Sequence, residues 1–516
     1  MRWWSVAVVA VVMATAAEGA RVLMLSPFLT KSHRVFFIAV AEALAARNHT
    51  VTYLTGLKAT TKPSSNIHEV FVPNVNVFTN LSTNSLFNVD MVTVTHYFGP
   101  YMPKACADAL SSQEMQRIQE EEFDVVVMSA FGAECFYPYI HSLQVPYIHM
   151  SANGMFGVYN YMAGNPHFSS LVINRLLDLE YPMTLVDRLF NTVIEIGGIT
   201  WCTWDLYPRV EEECRKRHLW TEDAPSLTEM SLNGSLFIIN SVQSLETPIV
   251  PYVPTVVHAG GLHCRPPQPL PQDLEEWVAG AGDSGFIFFS VGTVVNSSFI
   301  PEKHRNALLR VFASLEQRVL WKWDQDTMKD LPPNVRLARW LPQQDILGHP
   351  RLCLFISHGG LLSIQEATYH GVPLLGLPVY MDQYYNLRQV QRQGWGRVLR
   401  WEDLAFDTLR QNILDLIHDS RVRQKVLQRR EVMRDQPMPM GRWVSYWVEY
   451  VIRHGGAPHL RSPALTMPWY QLYNVDVWLV VVVVVVLVVA VVALLTFKLL
   501  LALWSYLSSF RKRKQE

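Results

Sequence analysis

One stretch of the chain, Trp340 to Gln383, constrains the fold more than any other. It reads WLPQQDILGHPRLCLFISHGGLLSIQEATYHGVPLLGLPVYMDQ. The apolar run Leu352 to Ile356 predicts a buried parallel strand. Ser357, His358, Gly359 and Gly360 form a small polar turn after it, and a helix follows through Glu366 to Tyr369. Gly371-Val372-Pro373 ends that helix, and Leu374 to Leu377 predicts the next strand, with Asp382-Gln383 just past its end. A strand, a tight glycine turn and a helix make a phosphate-binding arrangement. Glycine lets a ligand approach the backbone, and the free N–H groups of the helix start face the anion. In open parallel sheets ligands lie outside the carboxyl ends of the strands, so both polar clusters belong to one site.

The same alternation runs along the chain. Arg21 to Leu25 predicts a strand, Ser26 to His33 a polar loop, Arg34 to Arg47 a helix with Ser32 as its cap, and Val51 to Leu54 a second strand. Further strands are expected at 123–128, 144–150 and 236–240, with a helical stretch at 171–190. The segment 243–273 is rich in proline and reads as a linker. The second half restarts with a strand at 285–290, the turn Val291-Gly292-Thr293, a helix at 301–315 and a strand at 319–323. One long helix is expected at 407–434. The fold class is therefore α/β, with two doubly wound Rossmann-like domains and a cleft between them.

A length of 516 residues favours two domains over one core. A net charge of −1 gives no support for nucleic-acid binding. The six cysteines, Cys106, Cys135, Cys202, Cys214, Cys264 and Cys353, show neither zinc-ligand nor CxxC spacing, and Cys353 reads as a buried free thiol. Residues 1–19 read as a cleaved secretory signal. The run Val477 to Phe497 is long and apolar enough to span a bilayer, and Arg511 to Lys514 follow it. Positive-inside reasoning puts that tail in the cytosol and the body in the lumen. The expected division is signal 1–19, first domain 20–242, linker 243–273, second domain 274–460, juxtamembrane segment 461–476, membrane helix 477–497 and basic tail 498–516. Sequons begin at Asn48, Asn80, Asn233 and Asn296, the first three being the expected glycan sites.

Taken together, the tryptophan, glutamine, His-Gly-Gly, glutamate, spaced prolines and Asp-Gln of 340–383 resemble the signature of the UDP-glycosyltransferase family, in its membrane-bound, ER-lumenal and insect-like form. Arg434-Asp435-Gln436-Pro437, Trp447 to Tyr450, Arg453 to Ala457 and Trp469-Tyr470-Gln471 resemble it as well. The likeness covers nearly the whole chain, densely in the second half and loosely in the first. It implies two domains facing across a cleft (the GT-B arrangement), and roles for the matching positions. Trp340 matches the residue that stacks on uracil, and Gln343 its neighbour in the nucleotide pocket. Thr293, His358, Gly359 and Gly360 match diphosphate contacts, Glu366 the acceptor of both ribose hydroxyls, and Asp382 and Gln383 the readers of the donor sugar. His33 matches the catalytic base, suited to the task by an imidazole's near-neutral pKa. The plainer readings of these residues, as a core tryptophan, an exposed helix glutamate and a helix-start histidine, give way to the combined pattern.

Two positions depart from that pattern. The carboxylate that orients the base is expected at the position of Ser129, so Glu134 stands as the nearby substitute. Leu362 replaces the asparagine that often follows His-Gly-Gly. The resemblance implies inverting transfer of a hexose, with UDP-glucose the expected co-substrate, to a small lipophilic acceptor in detoxification or metabolite conjugation. No metal or cofactor is implied. The expected setting is the ER membrane, single-pass and type I, with homo- or hetero-oligomers of paralogues. Ser129 keeps open a weakly active UDP-sugar-binding partner of such paralogues, and a lipid-dedicated transferase is a further alternative.

Overall fold

The computed structural model describes residues 19–59, 64–76, 91–220 and 223–513. The expected signal segment (all but its last residue), the sequon at Asn80 and Lys514 lie outside the described residues. Residues through Arg461 form one compact unit and Ser462–Glu516 a second.

The first unit is built on two parallel sheets. In the first lobe the strands are β1 (Arg21–Ser26), β2 (Thr50–Thr55), β3 (Ile67–Phe71), β4 (Val125–Ser129), β5 (Tyr147–Ser151), β6 (Leu236–Ile239) and β7 (Val256–His258), ordered β3-β2-β1-β4-β5-β6-β7. In the second they are β8 (Phe286–Ser290), β9 (Arg318–Lys322), β10 (Val335–Ala338), β11 (Leu352–Ser357), β12 (Leu374–Gly376) and β13 (Gly396–Val398), ordered β10-β9-β8-β11-β12-β13. The described strands β1, β4, β8 and β11 are nearly continuous runs of buried Val, Ile, Leu, Met and Phe, and β5 is buried throughout but carries Tyr147, His149 and Ser151 beside Ile148 and Met150. A sheet covered by helices on both faces demands such runs. Strand order reverses between β1 and β4 in one lobe and between β8 and β11 in the other. At such a reversal the loops diverge and leave a crevice at the carboxyl ends.

The helices that matter below are α1 (Lys31–Ala45), α2 (Gly157–Met162), α3 (Leu185–Trp201), α4 (Gln343–Leu347), α5 (Leu361–His370), α6 (Gln383–Arg392), α7 (Met440–Arg453) and α8 (Val475–Arg513). Four of the expected elements are corrected. The cap of α1 is Thr30, whose hydroxyl accepts the His33 N–H at 3.2 Å, rather than Ser32. The stretch 171–184 is irregular, and helix begins only at Leu185. Pro182 cannot donate to a helical ladder, while Thr184 and Asp187 cap the start reciprocally. The expected helix 407–434 is broken at Asp419, whose carboxylate accepts the Arg421 N–H at 2.9 Å. Cys353 is half-buried, though free as expected.

Two segments cross the expected domain boundaries. Strand β7 lies within the proline-rich 243–273 segment and forms the edge of the first sheet. Helix α7 lies within 274–460, yet it packs on α1 and buries Val444, Val448 and Val451 with Val22, Met24, Phe36 and Val40. Glu449 of α7 accepts from Arg47 Nη2 at 3.0 Å and pairs with His49 Nε2 at 3.1 Å.

The second unit contains α8, in which Val475–Ser509 is long and apolar enough to cross a membrane. The expected span 477–497 lies inside it. At about 1.5 Å per residue such a helix exceeds the roughly 30 Å hydrocarbon thickness.

Candidate active site

Both switch-point crevices carry the residues singled out by sequence. In the second lobe the turn after β8 brings Gly292 and Thr293 beside the turn after β11. Gly292 has φ +84°, and a Cβ there would lie 2.5 Å from His358 Cε1. A Cβ on Gly360 would lie 2.7 Å from His358 Nε2. The two glycines therefore let the imidazole lie flat between two backbone turns. Gly359, at φ +88°, continues the same turn, and its carbonyl accepts from Asn386 Nδ2 at 3.2 Å.

Helix α5 starts at Gly360 with no side-chain cap, so its first N–H groups are left for a ligand. Two buried polar atoms beside it, Thr293 Oγ1 and His358 Nδ1, have no hydrogen-bond partner among the described residues. Buried polar groups are rarely left so, and donors converging on a helix start suit a diphosphate. Burial, together with the charge of Lys322 at the end of β9, lowers the His358 pKa to about 4, so the ring is neutral here. Sequence reasoning missed Lys322, although its place at a strand's carboxyl end was available as a signal.

Helices α4 and α5 bring together the next group of these residues. Gln343 Nε2 donates to Glu366 Oε2 and, at 3.1 Å, to Ser363 Oγ. Burial raises the Glu366 pKa to about 7. Trp340, in the loop after β10, is 71% exposed, which excludes the core-tryptophan reading. Asp382 opens α6 and accepts from Asn386 Nδ2 at 2.8 Å; burial raises its pKa, and the charge of Arg175 opposes that rise. Gln383 Oε1 accepts the N–H groups of Val379 at 2.8 Å and Tyr380 at 3.1 Å, so only its amide N–H₂ remains for a substrate. Arg175 comes from the first lobe, pairs with Glu246 at 3.0 Å and lies over the Tyr385 ring, and sequence reasoning missed it.

In the first lobe His33 sits in the opening turn of α1 and is half-buried. Its side chain is hydrogen-bonded to Asn153, just past the end of β5, and burial lowers its pKa to about 4. Strand β4 lies between β1 and β5. Asn153 therefore reaches His33 over the end of β4, where Ser129 is small and donates its hydroxyl to the Phe131 carbonyl at 2.8 Å. Glu134 does not take the orienting place. Its Oε1 accepts the Gly132 N–H at 3.1 Å, Oε2 is buried without a partner among the described residues, and burial raises its pKa to about 7. The 3₁₀ turn that carries it packs among Cys106, Phe136, Tyr137 and Tyr207. Asn153 was within reach of sequence reasoning, since it follows a predicted strand at its carboxyl end.

Leu362 is buried in the apolar cluster that contains Val22, Phe36 and Val444, and its carbonyl accepts from His263 Nε2 at 3.3 Å. Where the family often has asparagine, this chain uses the position to join the lobes. Gln365 makes the same connection, donating to the Asn240 carbonyl at 3.2 Å and accepting the Gly261 N–H at 3.0 Å. Arg388 adds a bond to Asp178 at 2.7 Å.

Two facing doubly wound lobes define the fold as the GT-B arrangement. The architecture matches a solved UDP-glucosyltransferase from Polygonum tinctorium (TM-score 0.58, 16% identity, 85% of this chain and 99% of that one). It also matches the calicheamicin glycosyltransferase CalG4 (TM-score 0.56, 17% identity, 86% and 100%). Residues 6–514 match the family described as "UDP-glucoronosyl and UDP-glucosyl transferase", and the chain belongs to that family, whose members transfer sugar from a UDP-sugar. Relatives include UDP-glycosyltransferase UGT5 of Dactylopius coccus, 30% identical over 88% of each chain. Human 2-hydroxyacylsphingosine 1-beta-galactosyltransferase is 29% identical over 90% of this chain and 86% of its own.

Proposed function

We propose that this enzyme transfers a hexose, glucose in the first instance, from its UDP-sugar to a hydroxyl of a small lipophilic acceptor with inversion at the anomeric carbon. The observation that carries this reading is the pairing of two crevices. One holds a half-open imidazole, and the other holds an uncapped helix start flanked by the unpartnered Thr293 Oγ1 and His358 Nδ1.

In this mechanism Trp340 stacks on the uracil, and Glu366, oriented by Gln343, accepts the ribose hydroxyls. Asp382 and the amide N–H₂ of Gln383 read the sugar. The His33 imidazole takes the acceptor hydroxyl's proton as its oxygen attacks the anomeric carbon. The bond from that carbon to the β-phosphate oxygen breaks, and UDP leaves with the electron pair. Fixed donors at the start of α5, with His358 and Thr293, meet the charge on the leaving diphosphate and need no reorganisation. The UDP-sugar is a co-substrate, and the reading includes no resident cofactor or metal.

The proposed setting is the ER membrane, with α8 as a type I anchor and the body in the lumen. A Cys106–Cys135 disulfide and the exposed side chains of Asn48 and Asn233, each opening a sequon, support an oxidising, glycosylating compartment. A second reading, a weakly active UDP-sugar-binding partner of paralogues, draws support from the His33 contact. An amide there cannot stabilise an imidazolium as a carboxylate would.

The test incubates microsomes expressing the chain with UDP-glucose and a panel of phenols and lipophilic alcohols, and follows glycoside by mass. Product that disappears in His33→Ala supports the transferase reading. No product from any UDP-sugar, with UDP still bound, favours the partner reading.

A further inference from the structure

A cavity of about 920 Å³, counted with the solvent at its mouth, lies between the lobes behind helix α5. Leu361, Ile364, Gln365 and Thr368 of α5 line it, and at 3.6 residues per turn they fall within an arc of about 100°. Ser363 and Glu366, which turn to Gln343, lie on the opposite side of the same helix. The far end of the cavity is walled by Gln393, Trp395 and Arg429, the last on the helix Ser420–Arg434. Gln393 caps α6 ten residues after Gln383, which puts this end about 15 Å along the helix from the Asp382 turn. Three polar groups on the cavity lack partners. Arg429 Nε is buried without a hydrogen-bond partner among the described residues, and the guanidinium lies over the Trp395 ring, 5.6 Å from its centroid. Arg429 forms no ion pair among the described residues, and burial lowers its pKa to about 10. Asn240 is fully buried; its Nδ2 donates to the Ala152 carbonyl at 2.9 Å, but Oδ1 has no partner among the described residues, and neither has Gln389 Oε1. Buried charges and polar atoms are normally matched, so three unmatched groups around one space point to a ligand.

We propose that this cavity is a second binding site, separate from both reactant crevices, and that it takes a small organic acid with an apolar body and one hydroxyl or N–H group. The charge count sets the acid. Arg175, the other guanidinium on the cavity, is already paired with Glu246 at 3.0 Å, so Arg429 alone is left to be matched. One carboxylate matches it, and a guanidinium holds a carboxylate through two parallel hydrogen bonds. A phosphate or diphosphate would bring more charge than the cavity can meet. The apolar body rests against Val242 and Leu245 of the first lobe and Val390, Trp395 and Met433 of the second. The hydroxyl or N–H group of the ligand donates to Asn240 Oδ1 or Gln389 Oε1, which can only accept. Apolar walls with a few fixed polar groups are the usual make-up of a small-molecule site. Because its walls come from both lobes, the bound acid joins them.

The test titrates the detergent-solubilised full chain by calorimetry with phenyllactate, para-hydroxyphenylacetate and N-octanoylglycine, each against its own carboxamide. At least one acid is expected to bind one-to-one, with its amide weaker by roughly tenfold to a hundredfold, as the loss of charged hydrogen bonds implies. That preference should vanish in Arg429→Gln and survive in part in Arg429→Lys, and saturating UDP should not displace the acid. Thermal unfolding checks that each variant is folded; if Arg429→Gln is not, the comparison of acid with amide and the UDP competition in the unaltered chain still decide. No binding of any of the acids, or equal binding of acid and amide, would overturn the proposal. So would displacement by UDP, which would put the acid in the donor crevice. A preference that persists in folded Arg429→Gln would do the same, since another cation would then hold the acid.

Discussion

Replacing Asn153 by aspartate puts a carboxylate where the structure has an amide against His33. The magnitude follows from the geometry. Burial holds the imidazole at about 4, against an ordinary value of 6.5, with only the neutral Asn153 bond opposing it. A carboxylate within hydrogen-bonding reach raises such a pKa by roughly 1–3 units, which is about 1.4–4 kcal/mol in favour of the imidazolium. The sign is fixed by the role of the base. Activity is lost as pH falls through the pKa of His33, because a protonated ring cannot accept. The acid limb of kcat/KM is therefore expected at about 4 in the native enzyme and between roughly 5 and 7 in Asn153→Asp. The plateau above that limb should rise, because a stronger base lies closer to the working pH. UDP release is measured within seconds of a pH jump. A limb that stays in place in Asn153→Asp, in a protein that still binds UDP, would refute the assignment of His33 as the base and of Asn153 as its partner.

Glu366 is expected to bind ribose in its ionised form, so KM for the UDP-sugar should rise as pH falls through about 7. Glu366→Gln should abolish that dependence and raise KM roughly tenfold to a hundredfold, as expected for the loss of charged hydrogen bonds. Gly292→Ala should cost about 1–2 kcal/mol of stability from its left-handed backbone. It should also reduce donor affinity measured by calorimetry, since its Cβ displaces His358. His149, buried and bonded to the Tyr137 hydroxyl at 2.7 Å, is held at about 3. Because its folded value lies below the unfolded 6.5, it costs nothing above that pH and removes stability as pH falls from 6.5 towards 3. In His149→Gln, chemical denaturation across pH 6.5–4.5 should show a slope shallower by up to about 1.4 kcal/mol per unit.

The sheets were legible because buried parallel strands leave unbroken apolar runs, and Leu352–Ser357 and Phe286–Ser290 announce themselves that way. The grouping of Gln343, His358 and Glu366 with the glycine turn was legible because these residues lie close together in one stretch. What escaped was long-range. Asn153 and His33 meet only because β4 separates β1 from β5 and ends in a small serine. Lys322 and Arg175 reach the site from elements whose local pattern says nothing of it. Glu134 was attractive by proximity in sequence, but a 3₁₀ turn carries it into the core. The 171–184 region has helical spacing, and Pro182 with the Thr184–Asp187 cap overrides it.

The position of α7 also sets an order of events during synthesis. Glu449 meets Arg47 across 402 residues, and the apolar cluster under α1 is completed only by Val444, Val448 and Val451. At a ribosomal rate of about 5–20 residues per second, the two partners emerge roughly 20–80 s apart. Throughout that interval the first-made lobe has an unfinished core. The helix that completes it is made only after every strand of the second sheet, so the first lobe closes after the second lobe's sheet has been synthesised.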